Sequence, residues 1–205
     1  MGVRTGVRGG RVVAGAAVLA VAVASGPAAG ADQWRPRPGS LYLSDLPKTE
    51  SWRAAPIARG WGESHECLEG WPEGRPEVNV WHRDFTTAET AFAQQKVVVF
   101  ATEAEAAAFA DATRRAYAGC AERPQRPGVT ATGHDHGVVD VEEGATLQGM
   151  HTFDANAQER PSFNHLWGVG RDGDTVTLVL WASYWGEPPV AAWRNTLRTA
   201  VNKLY

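Results

Sequence analysis

Apolar residues recur at helical spacing in two segments of the chain. The first segment opens with Thr102, and Glu105 follows three residues later, which is typical of a capping box. This helix is predicted to end before Pro124, because proline cannot donate the backbone hydrogen bond. The stripe predicted to be buried comprises Ala106, Phe109, Ala110, Thr113, Ala116, Tyr117 and Cys120. A second helix is predicted to begin at Pro188-Pro189, and its apolar face comprises Val190, Trp193, Leu197, Val201 and Leu204.

Six other segments alternate apolar and polar residues or carry β-branched runs, and we predict strands there. The predicted strands are residues 78–85, 90–101, 129–141, 146–153, 163–170 and 175–184. The last two flank Asp172-Gly173, the clearest hairpin turn in the chain, because glycine adopts the positive φ that a tight turn needs. The pair before them is joined around Gly144. The last four strands are therefore expected to form an antiparallel meander.

This order of elements predicts an α+β fold. We expect a mostly antiparallel, twisted sheet with both helices packed on one face and one disulfide. Residues 57–74 place Gly, Glu and Pro among aromatic residues and are predicted to be irregular. The sequence shows no internal repeat, and residues 32–205 are expected to form a single domain.

Residues 1–31 are typical of a removable secretion signal. Residues 1–11 carry three Arg and no acid, residues 12–24 are rich in Val and Ala, and Ala29-Gly30-Ala31 offers the small residues of a cleavage site. The apolar run is shorter than the ~20 residues that span a bilayer, so a retained membrane anchor is not expected. The mature protein is expected to begin near Asp32 and to be secreted.

The chain contains two cysteines, Cys67 and Cys120. In an exported protein such a pair is usually a disulfide. Closing a loop of about 50 residues contributes ~4 kcal/mol in the chain-entropy model. The alternative is a free nucleophilic thiol, which tends to oxidise outside the cell. The sequence therefore favours a Cys67–Cys120 bond.

Charge and tryptophan content narrow the kind of ligand. Lys and Arg number 20 and Asp and Glu 23, a formal charge of −3 that falls to −6 once the three Arg of the signal are removed. Such a protein has no electrostatic reason to bind nucleic acid or an anionic membrane. The nine Trp are expected in the core or along an aromatic cleft for a sugar or apolar ligand. The candidates for that cleft are Trp61, Trp71, Trp81, Trp167, Trp181 and Trp185.

Three consecutive segments form a recognisable set of motifs: the strand Gln95-Lys96-Val97-Val98-Val99-Phe100, the helix start at residues 104–109 and Tyr117-Ala118-Gly119-Cys120. This set resembles the pattern of PknH-like extracellular sensor domains, a group of secreted and extracellular domains of actinobacteria. The hairpin Arg171-Asp172-Gly173-Asp174-Thr175-Val176 is similar to its hairpin. Asp45-Leu46-Pro47 with Trp52 is similar to its opening segment. The resemblance covers roughly residues 41–204.

The resemblance implies a curved antiparallel sheet with helices on one side and, on the other side, a cleft for an unidentified ligand. Two features depart from the group. Its kinase member has two disulfides where this chain can form one, and Tyr117 stands where a Trp is usual. The chain also has no kinase domain, so the resemblance does not by itself imply signalling across a membrane.

His134-Asp135-His136 is the sharpest local candidate for chemistry. Two imidazoles at positions i and i+2 of a strand point to the same side, and with His151 or a carboxylate they could approach a zinc shell. The alternative is a polar loop or strand face. Motifs of serine, zinc-dependent and thiol hydrolases are absent from the sequence, as are phosphate-binding loops. The acidic residues expected to be ordinary surface charge are Glu63, Glu66 and Glu69.

The leading expectation is a non-catalytic, exported sensor-like domain without a cofactor. Its ligand, a small molecule or a fragment of the cell wall, is expected in a cleft on the sheet face. The expected lining residues are Trp81, Gln95, Trp167 and Trp181. Two alternatives are left open: a zinc-assisted exported hydrolase that uses His134 and His136, and a module that binds another exported protein through an edge strand.

Overall fold

The computed structural model describes residues 37–48, 51–64, 66–68 and 79–205. The predicted signal, residues 1–31, lies outside these ranges, as do Trp71 and Glu69. The strands are β1 (Arg53–Ala54), β2 (Ala58–Arg59), β3 (Asn79–Thr86), β4 (Phe92–Val99), β5 (Val129–Val139), β6 (Ala145–Asp154), β7 (Ser162–Asp172) and β8 (Thr175–Ser183). The helices are α1 (Glu103–Ala118) and α2 (Val190–Asn202), with 3₁₀ turns at Leu43–Asp45, Glu66–Leu68 and Cys120–Glu122. No helix in these ranges is long and apolar enough to cross a membrane.

The strands of the described ranges form one antiparallel sheet. Its order is β1-β3-β4-β8-β7-β6-β5, and β2 also pairs with β3. The predicted meander from β5 to β8 is confirmed, and Gly173 takes a φ of 54° in its last turn. The last strand then pairs with β4, so β8 lies in the middle of the sheet and all of its residues are buried.

Both predicted helices are confirmed. The hydroxyl of Thr102 accepts from the amide of Glu105 at 3.2 Å, which caps the first turn of α1. The buried residues of α1 are Ala106, Phe109, Ala110, Thr113 and Tyr117. Those of α2 are Trp193, Thr196, Leu197, Ala200 and Val201. The spacing of apolar residues therefore identifies the inward side of each helix.

The two helices lie on opposite faces of the sheet. On β8, Leu178 and Leu180 belong to the same core cluster as Phe109 of α1. Val179 and Trp181 instead belong to the cluster that contains the buried residues of α2. Successive side chains of a strand point to opposite faces, so the sheet has an α1 face and an α2 face. The prediction that both helices pack on one face is wrong.

The sequence of the central strand explains this arrangement. Thr175–Ser183 is a nearly continuous run of apolar and small residues, which is typical of a strand covered on both faces. Two glycines of β7 also let α2 approach closely. A Cβ atom on Gly168 would lie 2.9 Å from Leu197, and one on Gly170 would lie 2.2 Å from Val201. The second helix is thus built against the face that was expected to be open.

The predicted disulfide is confirmed. The Sγ atoms of Cys67 and Cys120 are 1.93 Å apart and their Cα atoms 5.4 Å apart. The bond joins the 3₁₀ turn at Glu66–Leu68 to the turn that follows α1. Arg123 adds a hydrogen bond, because its guanidinium donates to the carbonyl oxygen of Cys67 at 2.8 Å. Both cysteines are buried in the core of the α1 face, so this loop is fixed on that face.

Candidate functional site

The four residues expected to line one cleft lie on two different faces. The cross-strand register of β3, β4 and β8 places Trp81, Gln95 and Trp181 on the α2 face. Trp167 lies on the α1 face, stacked on Tyr117 with ring centroids 5.3 Å apart. All four side chains are buried. The structure therefore does not bring these residues together around a common open space.

Gln95 holds the N-terminal part of the described chain on the sheet. Its Oε1 accepts from the amide of Leu41 at 2.7 Å, and its Nε2 donates to Oγ1 of Thr177 at 3.1 Å. Arg83 donates to the carbonyl oxygen of Leu41 at 2.9 Å. Leu41 and Leu46 belong to the core of the α2 face. The segment that contains them covers the sheet where an open cleft was expected, and both polar ends of Gln95 have partners within the protein.

One tryptophan of the described ranges is exposed. The exposed fraction of Trp185 is 59%, whereas Trp81, Trp167, Trp181 and Trp193 are buried, as expected for a tryptophan-rich core. Trp185 lines an open groove of about 640 Å³. We call it the Trp groove. Its walls are residues 87–91 between β3 and β4, Trp181 and Ser183 of β8, and residues 185–187 before α2.

Local hydrogen bonds set the position of Trp185. Oγ of Ser183 accepts from the amide of Trp185 at 3.1 Å and donates to its carbonyl oxygen at 3.0 Å. The next residue, Gly186, has a φ of 74° and turns the chain toward α2. The backbone of this tryptophan is therefore anchored to the end of the central strand.

The Trp groove carries hydroxyls and carboxylates beside its aromatic rings. Thr87, Thr90 and Ser183 contribute hydroxyl groups, and Glu89 and Glu187 contribute carboxylates. No Lys, Arg or His is among the described residues that line it. A groove of this composition accepts hydrogen bonds and attracts positive rather than negative charge.

A second pocket, of about 390 Å³, opens on the α1 face. Buried Gln94 and Leu180 line it together with the more exposed Phe92, Asp84 and Glu63. We call it the Gln94 pocket. Nε2 of Gln94 donates to Oδ1 of Asp84 at 2.7 Å, across the β3–β4 pair. Oε1 of Gln94 is buried and has no hydrogen-bond partner among the described residues.

Lys96 lies beside this pocket on the same face. Its ammonium group is buried and donates to the carbonyl oxygen of Glu63 at 2.6 Å. Burial lowers the pKa of Lys96 to about 8, although the carboxylates of Asp84 and Glu63 oppose that shift. His82 is the neighbouring imidazole, with Nδ1 2.8 Å from the carbonyl oxygen of Gly60 and Nε2 4.0 Å from Asp84. Lys96 thus ties the loop that carries Glu63 to the sheet.

The histidines of the alternative zinc site line a third open cavity, of about 510 Å³, beside the start of α2. His134 and His136 of β5 lie there with His151 of β6, and the ring centroids of the first two are 6.1 Å apart. Burial lowers the pKa of His136; His134 and Arg194 lower it further, and Asp135 opposes them. Among the described residues, no three His, Cys, Asp or Glu side chains are placed to hold a metal ion.

The Gln94 pocket is not among the sites expected from the sequence, although the sequence carries a signal for it. Gln94-Gln95-Lys96 places three consecutive polar residues in the middle of a strand whose other inner positions are apolar and buried. Buried polar groups require partners, and a run of them in a central strand marks a special site. The sequence does not reveal the partners, because Asp84 and Glu63 arrive from β3 and from a loop.

The fold is shared with an extracellular domain of known structure. The crystal structure of the extracellular domain of PknH from Mycobacterium tuberculosis matches with a TM-score of 0.51 and 13% sequence identity. The match covers 78% of this chain and 94% of that chain. No family model matches the chain, and no curated protein matches it in sequence. The chain therefore shares the fold of the PknH extracellular domain.

Proposed function

We propose that this protein is an exported, non-catalytic ligand-binding domain of the sensor type, and that it binds a glycan in the Trp groove. The glycan is one without phosphate or sulfate groups. The disulfide between Cys67 and Cys120 supports export, because such bonds persist in oxidising compartments. The PknH-like fold supports a sensor-type architecture.

The exposure of Trp185 is the observation that favours a glycan as the ligand. A large aromatic ring left 59% exposed beside a groove is available to stack on the CH face of a sugar ring. The exposed carboxylates of Glu89 and Glu187 supply acceptors for sugar hydroxyls, and Thr90 adds a hydroxyl group. The hydroxyls of Thr87 and Ser183 are already engaged with the backbone of Ala91 and Trp185. The volume of about 640 Å³ lies within the range of small-molecule sites.

The charges of the groove disfavour anionic ligands. Glu89 and Glu187 are the charged residues among the described residues that line it. A sulfated or phosphorylated ligand would bring like charges together without a cation to offset them. We therefore expect neutral glycans to bind and polyanionic glycans to be rejected.

Binding without turnover fits the setting of these carboxylates. Glycoside hydrolysis uses a pair of carboxyl groups, one of them kept protonated in an apolar setting. Glu89 and Glu187 are both exposed. The groove thus presents two solvated acceptors rather than a buried acid opposite a base.

The test is a titration of the purified protein with oligosaccharides, followed by calorimetry and by intrinsic tryptophan fluorescence. An N-acetylglucosamine tetramer and a muropeptide are the neutral or weakly charged probes, and a heparin tetrasaccharide is the polyanionic one. Replacing Trp185 with Ala is expected to weaken glycan binding by about tenfold or more. The scale is taken from nucleic-acid bases, for which stacking on an aromatic ring contributes on the order of 1–3 kcal/mol.

Phe153→Ala is the matched control, because Phe153 is also an exposed aromatic residue but does not line the groove. It is expected to bind glycans as the wild type does. Unchanged affinity in Trp185→Ala, or silence across the neutral probes, would remove the proposed site. Chromatographic detection of cleaved products would overturn the non-catalytic assignment.

A further inference from the structure

A polar patch interrupts the otherwise apolar α1 face of β3 and β4. The cross-strand pairs on this face are Val80–Val98, then His82–Lys96, then Asp84–Gln94. The facing residues of β8, Leu178 and Leu180, are apolar members of the core cluster. Buried polar side chains destabilise the folded protein unless their polar atoms have hydrogen-bond partners. This patch therefore requires an explanation separate from that of the Trp groove.

Gln94 is the polar residue of the patch with an unused group. It is 7% exposed, and its buried Oε1 has no partner among the described residues. The orientation of the amide is set by Asp84, since the reverse orientation would bring two oxygens to 2.7 Å. A donor from outside the protein is therefore needed to satisfy Oε1.

The residues around Gln94 favour a positively charged group as the donor to its Oε1. The carboxylates of Asp84 and Glu63 both line the pocket. Lys96 offsets one of these charges, and its ammonium already donates to the carbonyl oxygen of Glu63. Among the described residues, the carboxylates of Asp84 and Glu63 outnumber the one ammonium beside the pocket, so a carboxylate or phosphate ligand is disfavoured there.

The remaining walls select a short apolar body. Phe92 and Leu180 line the pocket, and the ring of Phe92 can also face a cation. The volume of about 390 Å³ suits a small molecule rather than a folded segment. We propose that the Gln94 pocket binds a ligand whose head is a primary ammonium group and whose body is a short apolar chain. The ammonium donates to Oε1 of Gln94 and to Oδ2 of Asp84, the carboxylate oxygen to which Gln94 does not donate.

This site is distinct from the glycan site. The Trp groove includes Trp181 of the α2 face, whereas Gln94 and Leu180 belong to the α1 face. Each site is tested by its own probe. Failure at one site therefore leaves the other unaffected.

The experiment measures binding of n-pentylammonium to the purified protein by calorimetry and by the shift in melting temperature. 1-Pentanol and pentanoate have the same chain length and serve as ligand controls. Pentylammonium is expected to bind saturably with a Kd of about 1 mM or lower and to raise the melting temperature, whereas the two controls do neither. Gln94→Leu and Asp84→Asn are each expected to weaken pentylammonium binding by about tenfold or more.

Glu142→Gln is the matched protein control, because it removes one exposed carboxylate that lines neither the Trp groove nor the Gln94 pocket. It is expected to bind pentylammonium as the wild type does. The proposal is overturned if pentanol or pentanoate binds as well as the amine, if the amine does not bind, or if both Gln94→Leu and Asp84→Asn bind it normally. If Gln94→Leu fails to fold, Asp84→Asn alone decides between these outcomes.

Discussion

His165 lies between aromatic rings on the α1 face. Its ring stacks on Trp167 with centroids 5.0 Å apart and meets the edge of Phe163 at 4.4 Å. The residue is 4% exposed, and this burial lowers its pKa from 6.5 to about 4. Because an imidazolium cannot be hydrated in this position, His165 stays neutral throughout the physiological range.

This shift predicts how stability depends on pH. Between pH 6.5 and about 4 the imidazole of the unfolded chain binds a proton and that of the folded chain does not. The free energy of unfolding therefore falls on acidification in this window, by up to about 1.4 kcal/mol per pH unit from this residue. Denaturant unfolding of the wild type and of His165→Phe at several pH values measures the effect.

The ring of Phe in His165→Phe does not titrate. The free energy of unfolding of this variant is therefore expected to depend less on pH between 6.5 and 4 than that of the wild type. Parallel curves for the two proteins would contradict the assignment. An independent readout is the NMR signal of the His165 imidazole, which is expected to keep its neutral chemical shift until the pH approaches 4.

At the scale of single residues, the sequence predicts burial better than it predicts roles. Four of the seven tryptophans in the described residues are buried, as expected from the cost of exposing them. Gln95 was expected to contact a ligand, but it is Gln94, one position earlier, that has an unused group. A shift of one residue in a strand exchanges the two faces, and the sequence does not reveal which face is covered by what.

At the scale of elements, α2 protects the edge strand of the sheet. The guanidinium of Arg194 donates to the carbonyl oxygens of His136 and Val138 of β5 at 2.5 Å each. Arg198 donates to the carbonyl oxygen of Asp140 at 3.3 Å. The edge carbonyls of β5 at these positions are thus occupied by side chains and are not available to another strand.

Replacing Arg194 with Ala is expected to lower the free energy of unfolding by about 1–2 kcal/mol, because two hydrogen bonds from a charged donor are lost. It is also expected to increase self-association, since an exposed edge strand can pair with another copy. Light scattering over time at fixed protein concentration measures the second effect. Arg115→Ala, at an exposed position of α1, removes the same charge and is expected to leave both the free energy of unfolding and the light scattering unchanged. Equal scattering by the two variants would exclude edge protection by Arg194.

The elements themselves were predictable because each one carries a local pattern. The capping residue Thr102 and the apolar stripe define α1, and Gly173 defines the last hairpin. The pairing of β8 with β4 was not predictable in the same way, because about 80 residues separate the two strands and no local signal encodes their contact. The continuous apolar run of β8 was the available evidence that both faces are covered.

At the scale of the whole molecule, helices cover both faces of the sheet, and the two candidate sites lie at one end of it. The Trp groove and the Gln94 pocket both use the region where β3 ends and β4 begins, with β8 contributing to each. The Trp groove is built from the end of β8 and the approach to α2. The Gln94 pocket instead includes Glu63 and Ser64, which lie shortly before the disulfide-bonded Cys67.

The disulfide therefore links global stability to one of the two sites. Cys67 and Cys120 are 53 residues apart, and closing such a loop contributes about 4 kcal/mol in the chain-entropy model. Replacing both with Ala is expected to lower the free energy of unfolding by about 2–4 kcal/mol, because strain and residual structure reduce the ideal value. Denaturant unfolding measures this loss.

Binding measurements on the same double variant separate local from global consequences. Glu63 and Ser64 depend on the position of the loop that the disulfide fixes, so pentylammonium affinity is expected to fall. The Trp groove is fixed by Ser183 and β8 instead, so glycan affinity is expected to be retained under conditions where the variant is folded. Reductant should reproduce these effects in the wild type and change nothing in the variant. Parallel loss of both affinities would mean that the disulfide supports the entire sheet rather than the loop beside Gln94.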